Sequence, residues 1–246
     1  MSWKGGWCMY IKNKMVTLTY RLTYVGLCGY GILRHLSVSN SIRNINMLSY
    51  FTIQSNIVCF FVMLASAIHS ILCIIKDKDL KYSRALSFFR GMAFLVITIT
   101  FFTYSIVLTQ TGFTMGNSAQ RGMTINDLFV HYMIPICTLV DYFLFQPKPS
   151  FKRLDPVKWL WAPFIYFIFI LIKGKYFDTG KSLVGIKRYP YYFLDAGKYG
   201  YLYVFKYAFV FLIGCIIIGY VFWLIDFILG LIDVKIKKIV SHIKNK

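Results

Sequence analysis

The chain has 246 residues, of which 58% are apolar and 19% aromatic, with a mean hydropathy of +0.59 and a formal net charge of +19. This excludes an ordinary soluble domain and points to one polytopic membrane domain. All nine acidic residues are aspartates, which excludes HExxH metalloprotease helices and glutamate-closed EF-hand loops.

Six apolar runs predict an all-α fold of six transmembrane helices. The first, over residues 15–33, carries Arg21 near its start. Lys4, Lys12 and Lys14 precede it, but no small-residue cleavage site follows, so it is expected to remain as a span. The second, 48–75, opens with "YFTIQSN", Tyr50 to Asn56. The third covers 91–110. The fourth, 126–145, contains "HYMIPICTLVDYFLF". A Pro- and Lys-rich linker, "FQPKPSFKRLDP", leads to the fifth at 157–172, where Pro156 suits the first helical turn and Lys158 and Lys173 can snorkel. The sixth, 204–232, is long enough to tilt. Residues 1–232 form the expected transmembrane domain. Residues 233–246 read as a basic amphipathic tail on anionic lipid, with Ile236, Ile239, Val240 and Ile243 at helical spacing.

Lysines and arginines crowd the linkers, which suits anionic headgroups rather than nucleic acid. Seventeen fall on the side holding both tails, counting Arg90 in the second-to-third linker, and nine on the other. Both termini are therefore expected to be cytoplasmic. The six cysteines are scattered with no CxxC and read as packing residues.

The polar residues inside the spans are the candidates for chemistry, because such groups are costly there and face the bundle interior. Thr52, Ser55, Asn56 and Cys59 share one helical face, while Gln54 points elsewhere. Alone, these residues favour interhelical hydrogen-bond glue over a site. His131 lies one turn before Pro135, which has no N–H to give the His131 carbonyl. A histidine there is either satisfied by a backbone carbonyl or lines a polar cavity. Thr52 and His131 fall four and five residues into spans of the same direction, roughly 6–8 Å below the outer boundary. Asp127 could orient His131, although "TIND" also reads as a capping box and that reading is favoured. Asp141 and Asp226 are ion-pathway carboxylates or, as favoured here, partners of lysines or Arg21. His69 sits near the inner end of the second span; His35 and His242 are assigned no chemistry.

Taken together, "YFTIQSN", "HYMIPICTLVDYFLF" and "YPYYFLD" before the last span resemble the androgen-induced membrane protein family across essentially the whole chain. The resemblance implies an intramembrane threonine hydrolase of esters between fatty acids and hydroxy fatty acids, with no cofactor or metal. It assigns the nucleophile to Thr52 and the histidine to His131. A threonine hydroxyl needs a base to take its proton, and a desolvated neutral imidazole supplies one. Asn56 is then a candidate oxyanion donor and Asp127 a candidate orienting group. The alternatives are a small-molecule transporter or channel, against which the lack of an evident internal repeat counts, and a non-catalytic scaffold.

Overall fold

A computed structural model describes residues 10–37, 45–109, 125–176 and 189–244, and every regular element among them is helical. Six long helices carry the fold: α1 (Lys14–Ser37), α2 (Phe51–Ile75), α3 (Arg84–Leu108), α4 (Ile125–Phe145), α5 (Asp155–Tyr176, with a turn at Leu160) and α6 (Tyr201–Lys244). Five of them, α2 to α6, are long and apolar enough to cross a membrane. At 24 residues α1 is long enough but not apolar enough to join them. Thr17, Thr19, Arg21 and Thr23 interrupt its first half. Thr17 and Arg21 are fully buried, so these polar groups lie against other helices.

Two helix boundaries differ from the hydropathy runs for local reasons. α3 begins seven residues before the apolar run, at Arg84, because the Ser83 side chain caps it by accepting from the Leu86 N–H at 3.2 Å. Arg90 therefore lies inside a helix, at 5% exposure, and is not the linker charge that the orientation count assumed. α6 runs unbroken for 44 residues, so the basic tail expected from residue 233 is continuous with it. At 1.5 Å per residue it spans ~66 Å, more than the ~40–45 Å of a whole bilayer. Lys237 pairs with Asp233 one turn earlier along its polar end.

α3 sits at the centre, touching α2, α4, α5 and α6. It is the most buried of these five apolar helices and α6 the least. The packing of α5 on α3 turns on Gly91. A Cβ there would run into the indole of Trp159, which is fully buried and donates its Nε1–H to the Phe88 carbonyl at 3.0 Å. The rigid ring has no room to retreat. Gly91→Ala is expected to destabilise the bundle by about 1–3 kcal/mol through overpacking. A thermal midpoint equal to wild type in detergent would refute this. Five cysteines, Cys28, Cys59, Cys73, Cys137 and Cys215, are free thiols, and all of these but Cys137 are buried. Cys8 lies outside the described residues.

The antiparallel order of the first four helices puts two polar clusters at opposite ends of the bundle. At one end are the start of α1, the end of α2, the start of α3 and the end of α4. There the carboxylate of Asp141 is held by Arg21 at 3.3 Å and by Arg90. Arg21 also donates to the Ser66 carbonyl at 3.1 Å and to the Ser70 hydroxyl at 2.8 Å, and Arg90 donates to Gln146 Oε1 at 3.0 Å. Asp226 on α6 accepts from the main-chain N–H groups of Ser150 and Phe151 at 2.7 and 2.9 Å, and from the Tyr142 hydroxyl at 3.1 Å. It ties the α4–α5 linker to the last helix. Both aspartates are thus engaged, Asp141 with the expected Arg21 plus an arginine the hydropathy pattern hid.

Candidate active site

The opposite end gathers the end of α1, the start of α2, the end of α3 and the start of α4. The chain reaches α2 through a 3-10 turn, Ile45–Ser49, and an extended Tyr50 at φ −80°, ψ 132°. The Tyr166 hydroxyl on α5 pins this approach by donating to the Ser49 carbonyl at 3.0 Å. Because α2 starts only at Phe51, Thr52 stands in its first turn, and it is 3% exposed.

Thr52 Oγ1 lies 3.2 Å from Nε2 of His131, which is fully buried. The other imidazole nitrogen, Nδ1, faces the main-chain carbonyl of Asp127 at 3.0 Å. A carbonyl only accepts, so Nδ1 carries the proton and Nε2 presents its lone pair to Thr52. The threonine hydroxyl then donates to the histidine, the polarity a general base requires.

His131 owes its place to a widened turn. Pro135 cannot donate an N–H, and the helix before it opens into a π turn, Phe129–Met133, whose next residue, Ile134, bonds back to the Phe129 carbonyl. A second π turn, Thr103–Leu108, ends α3. Its Tyr104 ring stacks on His131 with centroids 3.7 Å apart and planes 16° from parallel. The imidazole is thereby clamped on its face as well as at Nδ1.

Asn56 does not have the geometry expected of an oxyanion donor. Its amide donates to the Thr52 carbonyl at 2.7 Å and to the Val130 carbonyl at 3.1 Å, so both hydrogens are engaged. It joins the turn that holds Thr52 to the residue before His131, which is an orienting geometry. Its Oδ1 is buried without a hydrogen-bond partner. Asp127 also differs from expectation: its carbonyl, not its carboxylate, holds His131. The carboxylate faces His35 Nε2 at 3.5 Å, and His35 Nδ1 lies 3.0 Å from the Gly31 carbonyl. His35, at the end of α1, comes to Asp127 only in the folded chain. Thr124, the other end of the capping box, lies outside the described residues. Ser55 bonds the Thr100 hydroxyl at 2.7 Å and acts as interhelical glue, and Gln54 donates to the Leu48 carbonyl at 2.8 Å.

A cavity of about 200 Å³ opens beside Thr52. Phe51, Tyr166, Phe167, Tyr191 and Phe211 are among the aromatic side chains that line it with Thr52. It lies between α2, α3, α5 and α6, and the segment following Tyr189 closes one side. Tyr191 in that segment is 4% exposed and sets its ring edge-on to Tyr50 at 5.8 Å. Its hydroxyl meets the Thr52 side chain and faces the first turn of α2 at Phe51 and Thr52. Burial pushes the phenol pKa up to about 12, so it keeps its proton at neutral pH. No protein-family model, no curated protein and no solved structure matches this chain.

Proposed function

We propose that the protein is an intramembrane hydrolase of lipid esters, of the androgen-induced membrane protein type, with Thr52 as nucleophile and His131 as general base. The observation that carries this reading is the buried Thr52–His131 contact at 3.2 Å, its proton direction set by the Asp127 carbonyl, at the edge of an apolar cavity. A hydroxyl paired with a neutral, oriented imidazole is the working half of an acyl-transfer site. The apolar cavity suits a fatty acyl group of an ester of a hydroxy fatty acid. Purified full-length protein in detergent should hydrolyse a p-nitrophenyl fatty ester and take up a fluorophosphonate label on Thr52. Hydrolysis no faster than buffer, with no labelled threonine, would sink the reading.

The same proposal makes the chain a multi-pass protein of the cell membrane, with α1 as a sixth crossing and both termini cytoplasmic. α1 is long enough to span, and its charged Arg21 is buried against Asp141 rather than facing lipid. The Lys/Arg asymmetry survives the loss of Arg90 from its cytoplasmic side. The Arg21–Arg90–Asp141 cluster then lies toward the cytoplasm and Thr52 toward the outer leaflet, and the basic end of α6 meets anionic headgroups. Reporter fusions are expected to place both ends inside; an external amino terminus would overturn the orientation.

A further inference from the structure

We propose that Tyr191 is a third catalytic residue of this site, the phenol that donates a hydrogen bond to the oxyanion formed on Thr52. The inference rests on the hydrolase reading. On the face of α2 that carries Thr52, neither polar neighbour is available for the developing negative charge, because the amide hydrogens of Asn56 are both directed at carbonyls and the Ser55 hydroxyl is held by Thr52 O and Thr100.

Tyr191 fills that gap in place. Its hydroxyl meets the Thr52 side chain, and the main-chain N–H groups of Phe51 and Thr52 lie on the same side, facing its oxygen. These are the first amides of α2, for which the helix itself offers no acceptor; the next two, of Ile53 and Gln54, already bond the Tyr50 carbonyl. A phenol oxygen that accepts from amides becomes a stronger donor of its own proton. The helix start thus polarises Tyr191 toward the nucleophile. The ring is held edge-on to Tyr50 and stacked on Phe193, centroids 5.3 Å apart and planes 5° from parallel. Thr52 and Tyr191 line one cavity, so a carbonyl carbon brought to Oγ1 carries its oxygen to the phenol.

In the first half-reaction Thr52 Oγ1 bonds to the ester carbon as its proton passes to His131 Nε2. The carbonyl π pair moves onto oxygen, where the Tyr191 O–H meets it. Re-forming the carbonyl breaks the bond to the alcohol oxygen, which leaves with the proton from His131. Water repeats the sequence on acyl-Thr52, releasing the fatty acid and restoring the hydroxyl. Tyr191 keeps its proton throughout.

The test is Tyr191→Phe in the full-length protein, which retains the ring and removes only the hydroxyl. With p-nitrophenyl butyrate, kcat is expected to fall ~10²–10³-fold, with KM within about twofold and a cooperative melting transition retained at a somewhat lower midpoint. Fluorophosphonate labelling of Thr52 should slow in step, because the phosphonyl oxygen occupies the oxyanion position. Wild-type turnover and labelling in Tyr191→Phe would overturn the role, as would loss of its melting transition, which would make Tyr191 a packing residue. Thr52→Ala runs in parallel. A wild-type protein that neither labels nor turns over, or a Thr52→Ala variant as active as wild type, would remove the hydrolase reading and Tyr191 with it. An unimpaired Tyr191→Phe beside an inactive Thr52→Ala removes Tyr191 alone.

Discussion

Thr52→Ala is expected to reduce ester hydrolysis and phosphonate labelling to background while the protein still inserts and melts near the wild-type temperature. The side chain is small, and its loss removes one hydroxyl and one methyl at the edge of a cavity rather than a large packed group. His131→Ala is expected to be equally inactive, because a hydroxyl with no base at 3.2 Å is a weak nucleophile at neutral pH. Nucleophile and base act as one unit, so the double variant should be no worse than either single variant. His131→Ala should also be the less stable of the two, since it strips the stacking partner from Tyr104 and leaves the Asp127 carbonyl without its imidazole donor. Retained labelling in either single variant would remove the pair from catalysis.

Asp141→Asn should be the most destabilising near-isosteric change in the bundle, and for an unrelated reason. Asp141 is 3% exposed between Arg21 at 0% and Arg90 at 5%. Two guanidinium groups already share one carboxylate. Neutralising it keeps the shape but leaves both cations buried without a counter-charge, a loss of about 3–5 kcal/mol. The melting midpoint and the yield of folded protein report this directly. Adding Arg90→Gln to Asp141→Asn should restore part of the loss, because it removes one of the stranded charges. A single variant with a wild-type midpoint, or a double variant worse than additive, would contradict this account. The cluster lies at the end of the bundle away from Thr52, so hydrolysis per folded molecule should change little.

These two clusters show what a linear reading can and cannot reach. The helices themselves, and the similar depth of Thr52 and His131, follow from apolar runs and the placement of lysines and arginines. That the two side chains meet does not follow from depth, since it depends on the rotation of α2 against α4. The break at Pro135 was visible in one residue. Its form was not, because the π turn is held partly by Tyr104, 27 residues earlier on another helix. Spacing put Asn56 on the face of Thr52, but only the Val130 carbonyl decides where its amide points. Arg90 reads as linker in the sequence because its charge interrupts the apolar pattern, although the helix already runs through it. An aspartate late in a neighbouring apolar run was the available hint that an arginine would be drawn inside. His35 stands at a helix end without periodicity, and Tyr191, although it falls within "YPYYFLD", sits in an irregular segment whose spacing assigns it no partner.

The π turn around His131 bears on how kindred chains would be found. It holds one residue more than the α turn it replaces, so removing a residue between Leu128 and Pro135 would let the helix close regularly without turning its two halves out of phase. The interval between the histidine and the proline is therefore elastic by one residue, while the direction of the imidazole is not. A search pattern written with a rigid His–Pro interval would pass over sequences that carry the same side chain to the same threonine. One that tolerates a single gap there, and insists instead on a tyrosine near the end of the preceding span, follows the constraint the folded chain imposes.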